Sequence, residues 1–109
     1  MAHPLIPRVQ EIVGAKPVVI FMKGTPQFPQ CGFSARAVQV LGAAGAKDVS
    51  GVDVLSDESL WEALEEFTQW PTVPQIFVNG QFIGGCDIVS EMFDRGELQE
   101  MIQASKANA

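Results

Sequence analysis

Apolar residues recur at helical spacing near the start of the chain, at Leu5, Ile6, Val9, Ile12 and Val13. This spacing predicts a helix that ends at Gly14. Pro17 then opens an unbroken apolar run, Val18-Val19-Ile20-Phe21-Met22. A short run this rich in β-branched residues reads as a strand buried on both faces. Residues 23–30 carry Gly24, Pro26 and Pro29, the turn chemistry of a loop. Phe33, Ala37, Val38, Leu41 and Ala44 return to the helical period, with Gly42 and Gly45 near that helix's end. Residues 49–54 alternate and predict a second strand. Ser56 or Asp57 can cap a helix through Leu60, Trp61, Leu64 and Phe67. Gln75–Val78 and Phe82-Ile83 flank Asn79-Gly80, a dipeptide suited to a tight hairpin turn. Asp87 can cap a helix through Ile88, Val89, Met92 and Phe93, broken at Gly96. Glu97 begins a last amphipathic stretch through Leu98, Met101 and Ile102.

A strand-helix-strand unit followed by a helix and a hairpin predicts an α/β fold. Its sheet would be mixed and four-stranded, with helices on both faces. Cys31 would lie beyond the carboxyl end of the first strand, where open α/β sheets bind ligands. The 109 residues suit a single domain over 1–109, with 1–3 and 104–109 expected to be flexible. A hydrophobic fraction of 47% fits a folded chain. The net charge of -6 and the scattered basic residues argue against nucleic acid as a partner. No apolar run approaches the roughly 18–20 residues needed to cross a membrane. Two cysteines do not make a disulfide scaffold, which points to a reducing intracellular compartment. That compartment would be the mitochondrial matrix or a plastid if a transit peptide has been removed, and the cytoplasm if the chain is bacterial.

Chemistry concentrates at Cys31-Gly32-Phe33-Ser34. A Cys-x-x-Cys pair closes on itself when oxidised, but Ser34 in the second slot prevents this. The thiolate must attack an outside disulfide, form a mixed disulfide or bind a metal. At a helix start, Cys31 meets free N–H groups and the positive end of the helix dipole. Lys23 can add a cation across the loop. Both favour the thiolate. Read alone, Cys31 also fits a small buried apolar residue, and Lys23 an ordinary surface lysine. A structural zinc site is disfavoured, because two cysteines and His3 are too few and wrongly spaced.

Three segments together resemble the monothiol glutaredoxins of the Cys-Gly-Phe-Ser class. They are Met22-Lys23-Gly24-Thr25-Pro26 with Pro29-Gln30-Cys31-Gly32-Phe33-Ser34, then Trp70-Pro71-Thr72-Val73-Pro74-Gln75, then Gly84-Gly85-Cys86-Asp87. The resemblance spans essentially the whole chain. It implies a thioredoxin fold and a glutathione-binding protein. It also implies a [2Fe-2S] cluster bridging two copies of the chain, delivered to apo iron–sulfur acceptors, and it permits pairing with a BolA-like protein. Within that resemblance Cys31 is both the reactive thiol and the cluster ligand. Lys23 meets the glycine-end carboxylate of glutathione, and Phe33 covers the site with its N–H toward the ligand. Thr72-Val73-Pro74 forms a second site element, in which Pro74 is expected to be cis, leaving the Val73 N–H and C=O to pair with the extended tripeptide as an added strand would. Gly85 and Cys86 offer N–H groups at a helix start to the γ-glutamyl carboxylate, and Asp87 suits its ammonium. Asp87 also fits simple capping. Cys86 also fits an inert buried thiol or a disulfide partner of Cys31, and Trp70 reads as packing rather than contact. The chain departs from the family at Trp61 and Glu65, where basic residues are usual, so Lys23 is expected to hold the carboxylate largely alone. The alternative function is a glutathione-dependent thiol-disulfide oxidoreductase working through Cys31.

Overall fold

A computed structural model describes residues 2–107. Strand β1 (Val18–Met22) is buried along its whole length and lies inside a sheet of order β2-β1-β3-β4. It pairs in parallel with β2 (Val49–Asp53) and antiparallel with β3 (Gln75–Val78). Strand β4 (Gln81–Gly84) forms the opposite edge, antiparallel to β3. Asn79 and Gly80 take positive φ angles of 53° and 80°, as the hairpin dipeptide predicts.

Successive β1 side chains point to opposite faces, so the single apolar run supplies two cores. Val18, Ile20 and Met22 pack with α2 (Gly32–Ala43), α4 (Cys86–Asp94) and α5 (Glu97–Ala107). Val19 and Phe21 pack with α1 (Ile6–Ala15) and α3 (Glu58–Thr68). Phe77 centres that second core, with its ring centroid 5.6 Å from Phe21 and 5.3 Å from Phe82.

The structure moves several boundaries. Helix α1 continues one residue past Gly14, to Ala15. Strand β2 stops at Asp53 because that carboxylate accepts the Leu55 N–H at 2.9 Å and turns the chain into a short 3-10 helix, Val54–Ser56. Between the two candidate caps of α3, Asp57 takes the position and accepts the Leu60 N–H at 3.1 Å. Asp87 does not cap α4. Gly85 is the extended residue before the helix, which begins at Cys86, so Asp87 lies inside the first turn. A carboxylate there still meets the positive end of the helix dipole. Ala104 and Ser105 belong to α5, which runs to Ala107; residues 108 and 109 of the expected flexible tail lie outside the described residues.

Candidate functional site

The carboxyl end of β1 delivers Lys23 to the rim of the sheet, and a tight loop carries the chain from there to Cys31. Gln30 N–H donates to the Lys23 carbonyl at 2.9 Å, and Phe28 N–H donates to the Thr25 carbonyl at 3.0 Å. Gly24, at φ +88°, donates its N–H to Asp53 at 3.0 Å, tying the loop to the end of β2. The loop ends on Cys31, which sits in extended conformation as the residue preceding α2.

The thiol makes no capping hydrogen bond of its own; its ionised form is what the surroundings favour. The Ser34 N–H is the main stabiliser, followed by the Phe33 N–H, the Lys23 charge and the Ser34 hydroxyl. Together they hold the Cys31 pKa below the ordinary thiol value despite some desolvation. Ser34 is fully buried, and its hydroxyl oxygen accepts the Lys23 N–H at 3.2 Å. The residue standing in the second cysteine's slot therefore also joins β1 to the first turn of α2.

Cys86 behaves oppositely. Burial raises its pKa, outweighing the opposing hydrogen bond from Ser90 and the charge of Arg36. Both cysteines are free. The resulting cavity of about 410 Å³ thus holds one activated thiol and one neutral one.

All the residues assigned from the sequence line this cavity: Lys23, Cys31, Phe33, Thr72, Val73, Gly85, Cys86 and Asp87. The Val73–Pro74 peptide bond is cis. Among the described residues, the Val73 N–H and C=O take part in no hydrogen bond. Trp70 both lines the cavity and packs edge-on against Phe82, with centroids 5.9 Å apart. Trp61 lines it as well. Its ring lies 5.8 Å from the Lys23 ammonium, within cation–π reach. Among the described residues, no group of three or more His, Cys, Asp or Glu side chains could hold a metal ion. No helix in that range is long and apolar enough to cross a membrane.

Gln75 carries no sequence signal of its own beyond closing the Trp-Pro-Thr-Val-Pro-Gln segment. It is fully buried, and its Nε2 donates to the carbonyls of Trp70 and Thr72 at 3.0 Å each. The side chain thereby clamps the loop that presents Val73. Gln75→Leu leaves both carbonyls without this donor and is expected to destabilise the fold by about 1–3 kcal/mol. A urea titration reads this as a lower midpoint with an unchanged slope; a midpoint equal to that of the wild type would remove the clamp.

The profile of the Glutaredoxin family matches residues 18–83. An uncharacterized monothiol glutaredoxin of Synechocystis is 45% identical over 101 residues, covering 93% of this chain and 94% of that protein. Monothiol glutaredoxin-5, mitochondrial, of Lachancea kluyveri is 45% identical over 101 residues, covering 91% of this chain and 71% of that protein. Among solved structures, the holo form of poplar glutaredoxin C1 superposes with a TM-score of 0.84 at 33% identity, covering 94% of this chain and 89% of that one. A buckwheat glutaredoxin–glutathione complex gives 0.82 at 28% identity, covering 94% and 90%. The sheet order and flanking helices are those of the thioredoxin fold.

Proposed function

The chain belongs to the glutaredoxin family, among its monothiol members, and on that premise we propose that it binds glutathione beside Cys31 and carries a [2Fe-2S] cluster between two copies of itself for delivery to apo iron–sulfur proteins. The observation that carries this reading is the single activated thiol: Cys31 is accessible and held toward its thiolate, while Cys86, in the same cavity, is buried and held neutral.

A [2Fe-2S] unit takes four thiolates. One chain supplies one, so two copies leave two positions for outside thiols. Glutathione suits the remaining space. Lys23 offers a cation to its glycine-end carboxylate, and the free Val73 main chain can pair with its cysteinyl residue as a short added strand. At the other end, Gly85 and Cys86 offer the start of α4 to the γ-glutamyl carboxylate, and Asp87 faces the ammonium. Thr72 and Phe33 close the two sides. Thiolates borrowed from a free tripeptide make the cluster easy to release, as cargo must be. The buckwheat relative solved with glutathione supports the ligand, and the poplar relative solved in a holo form supports a loaded state. Two unpaired thiols are consistent with a reducing compartment, mitochondrial, plastid or bacterial cytoplasmic.

Anaerobic reconstitution with iron, sulfide and glutathione tests the reading. The expected product is a coloured dimer with a [2Fe-2S] spectrum that forms only when glutathione is present. A colourless monomer under the same conditions would overturn it.

The exposure and activation of Cys31 also favour a second reading, exchange on glutathionylated proteins. The Cys31 thiolate would attack the glutathione sulfur and expel the protein thiolate. A second glutathione thiolate would then attack the mixed disulfide, giving oxidised glutathione and restoring Cys31. Turnover on a glutathionylated substrate by protein that cannot be loaded with a cluster would favour this route.

A further inference from the structure

We propose that Trp61 is a positioning residue: its ring holds the Lys23 ammonium at the cavity rim and so sets the preference for a ligand ending in a carboxylate. The inference rests on the glutathione reading above and adds to it what makes the single cation effective.

Lys23 is the only Lys or Arg among the described residues that line the cavity. A lysine ammonium rides on a flexible four-carbon stem, and holding it in one place loses much of that freedom. The usual restraint is a carboxylate, but none of the ion pairs among the described residues includes Lys23. The Trp61 ring, 5.8 Å from Nζ, takes the place of that partner. A π face attracts the ammonium through its quadrupole without neutralising it. The charge and the N–H donors of Lys23 therefore stay available to an incoming carboxylate. An acidic partner would have cancelled them.

The ring is itself well placed to act as a fixed support. Trp61 lies on α3 and packs against the core that contains Phe21 and Phe77. Its indole N–H is buried without an acceptor among the described residues. No hydrogen bond from that group accounts for tryptophan at this position, and the face of the ring is what it presents to Lys23. Restraint thus passes from the core to the Trp61 ring, and from the ring to Lys23.

The test is a double-mutant cycle of Trp61→Leu and Lys23→Met, read by calorimetric titration with glutathione and with its C-terminal amide. In the protein that keeps Lys23, Trp61→Leu is expected to weaken glutathione binding about two- to fivefold, the span of cation–π pairs near a surface. It should also shrink the preference for glutathione over the amide. In the Lys23→Met protein the same change should do neither. Trp61→Phe, which keeps a ring and the packing, should fall between wild type and Trp61→Leu. Equal losses in both backgrounds would overturn the inference, because Trp61 would then act independently of Lys23.

A second readout needs no glutathione. The pH profile of Cys31 alkylation should shift on Trp61→Leu only when Lys23 is present. Absence of glutathione binding by the wild-type protein would count against the glutathione reading alone, and the alkylation cycle would still decide the role of Trp61.

Discussion

Cys31→Ser protein is expected to emerge from reconstitution colourless and monomeric, with cluster loading abolished rather than reduced. A serine hydroxyl does not ionise at neutral pH, so each copy loses its only activated ligand. Two glutathione thiols cannot complete a set of four. Cys86 is a poor substitute, because its sulfur is buried and its pKa is raised above the ordinary thiol value. The same contrast governs alkylation. Thiolate is the reactive species, and the Cys31 pKa lies below the ordinary thiol value while that of Cys86 lies above it. As pH rises, wild-type protein should therefore label at Cys31 first, with a midpoint below that of a free thiol. Cys31→Ser protein should lose this early phase entirely. Rapid labelling at neutral pH in the Ser variant would contradict the assignment of the two thiols.

Gly24→Ala should be the most disruptive of the single-methyl additions near the site. Gly24 stands at φ +88°, where an L side chain is strained. Its added Cβ would lie 2.5 Å from the Phe28 carbonyl oxygen and 2.7 Å from the Gln30 nitrogen, both of them main-chain atoms. A strained backbone costs about 1–3 kcal/mol and overpacking a similar amount, so a loss of about 2–6 kcal/mol is expected. Gly96 provides the control. Its φ is +80°, but a Cβ there meets nothing within 4 Å. Gly96→Ala should therefore show the backbone contribution alone, about 1–2 kcal/mol. Urea titrations of the two variants measure the difference directly. Equal midpoints would mean that the loop shifts freely to accept the methyl group, and that its hold on Lys23 and Cys31 is looser than the hydrogen bonds indicate.

Most of the site was legible because its residues cluster in three short segments, each with its own local chemistry. The Cys-Gly-Phe-Ser stretch announces a lone thiol at a helix start, and the structure places Cys31 there with α2 beginning at Gly32. The misplacement of Asp87 is of the opposite kind. Sequence identifies a good capping side chain, but the extended main chain at Gly85 decides where α4 begins. The sequence marks Trp70 as a packing residue, and it does pack on Phe82, yet it also faces the cavity. A flat ring has two faces, and periodicity cannot say that both are used.

The linear pattern alone determined which segments form strands and helices, and where the Cys-Gly-Phe-Ser motif stands among them. Period and turn residues depend on neighbours a few positions away, and those are written in order along the chain. Tertiary structure alone decided the balance between the two thiols, the clamp of Gln75 on the Trp70 and Thr72 carbonyls, and the meeting of Lys23 with Trp61. Each of these depends on burial, or on a distance between groups brought together by loops and by the packing of α3 and α4 around the sheet. Such distances are set by the whole fold, and no local spacing records them.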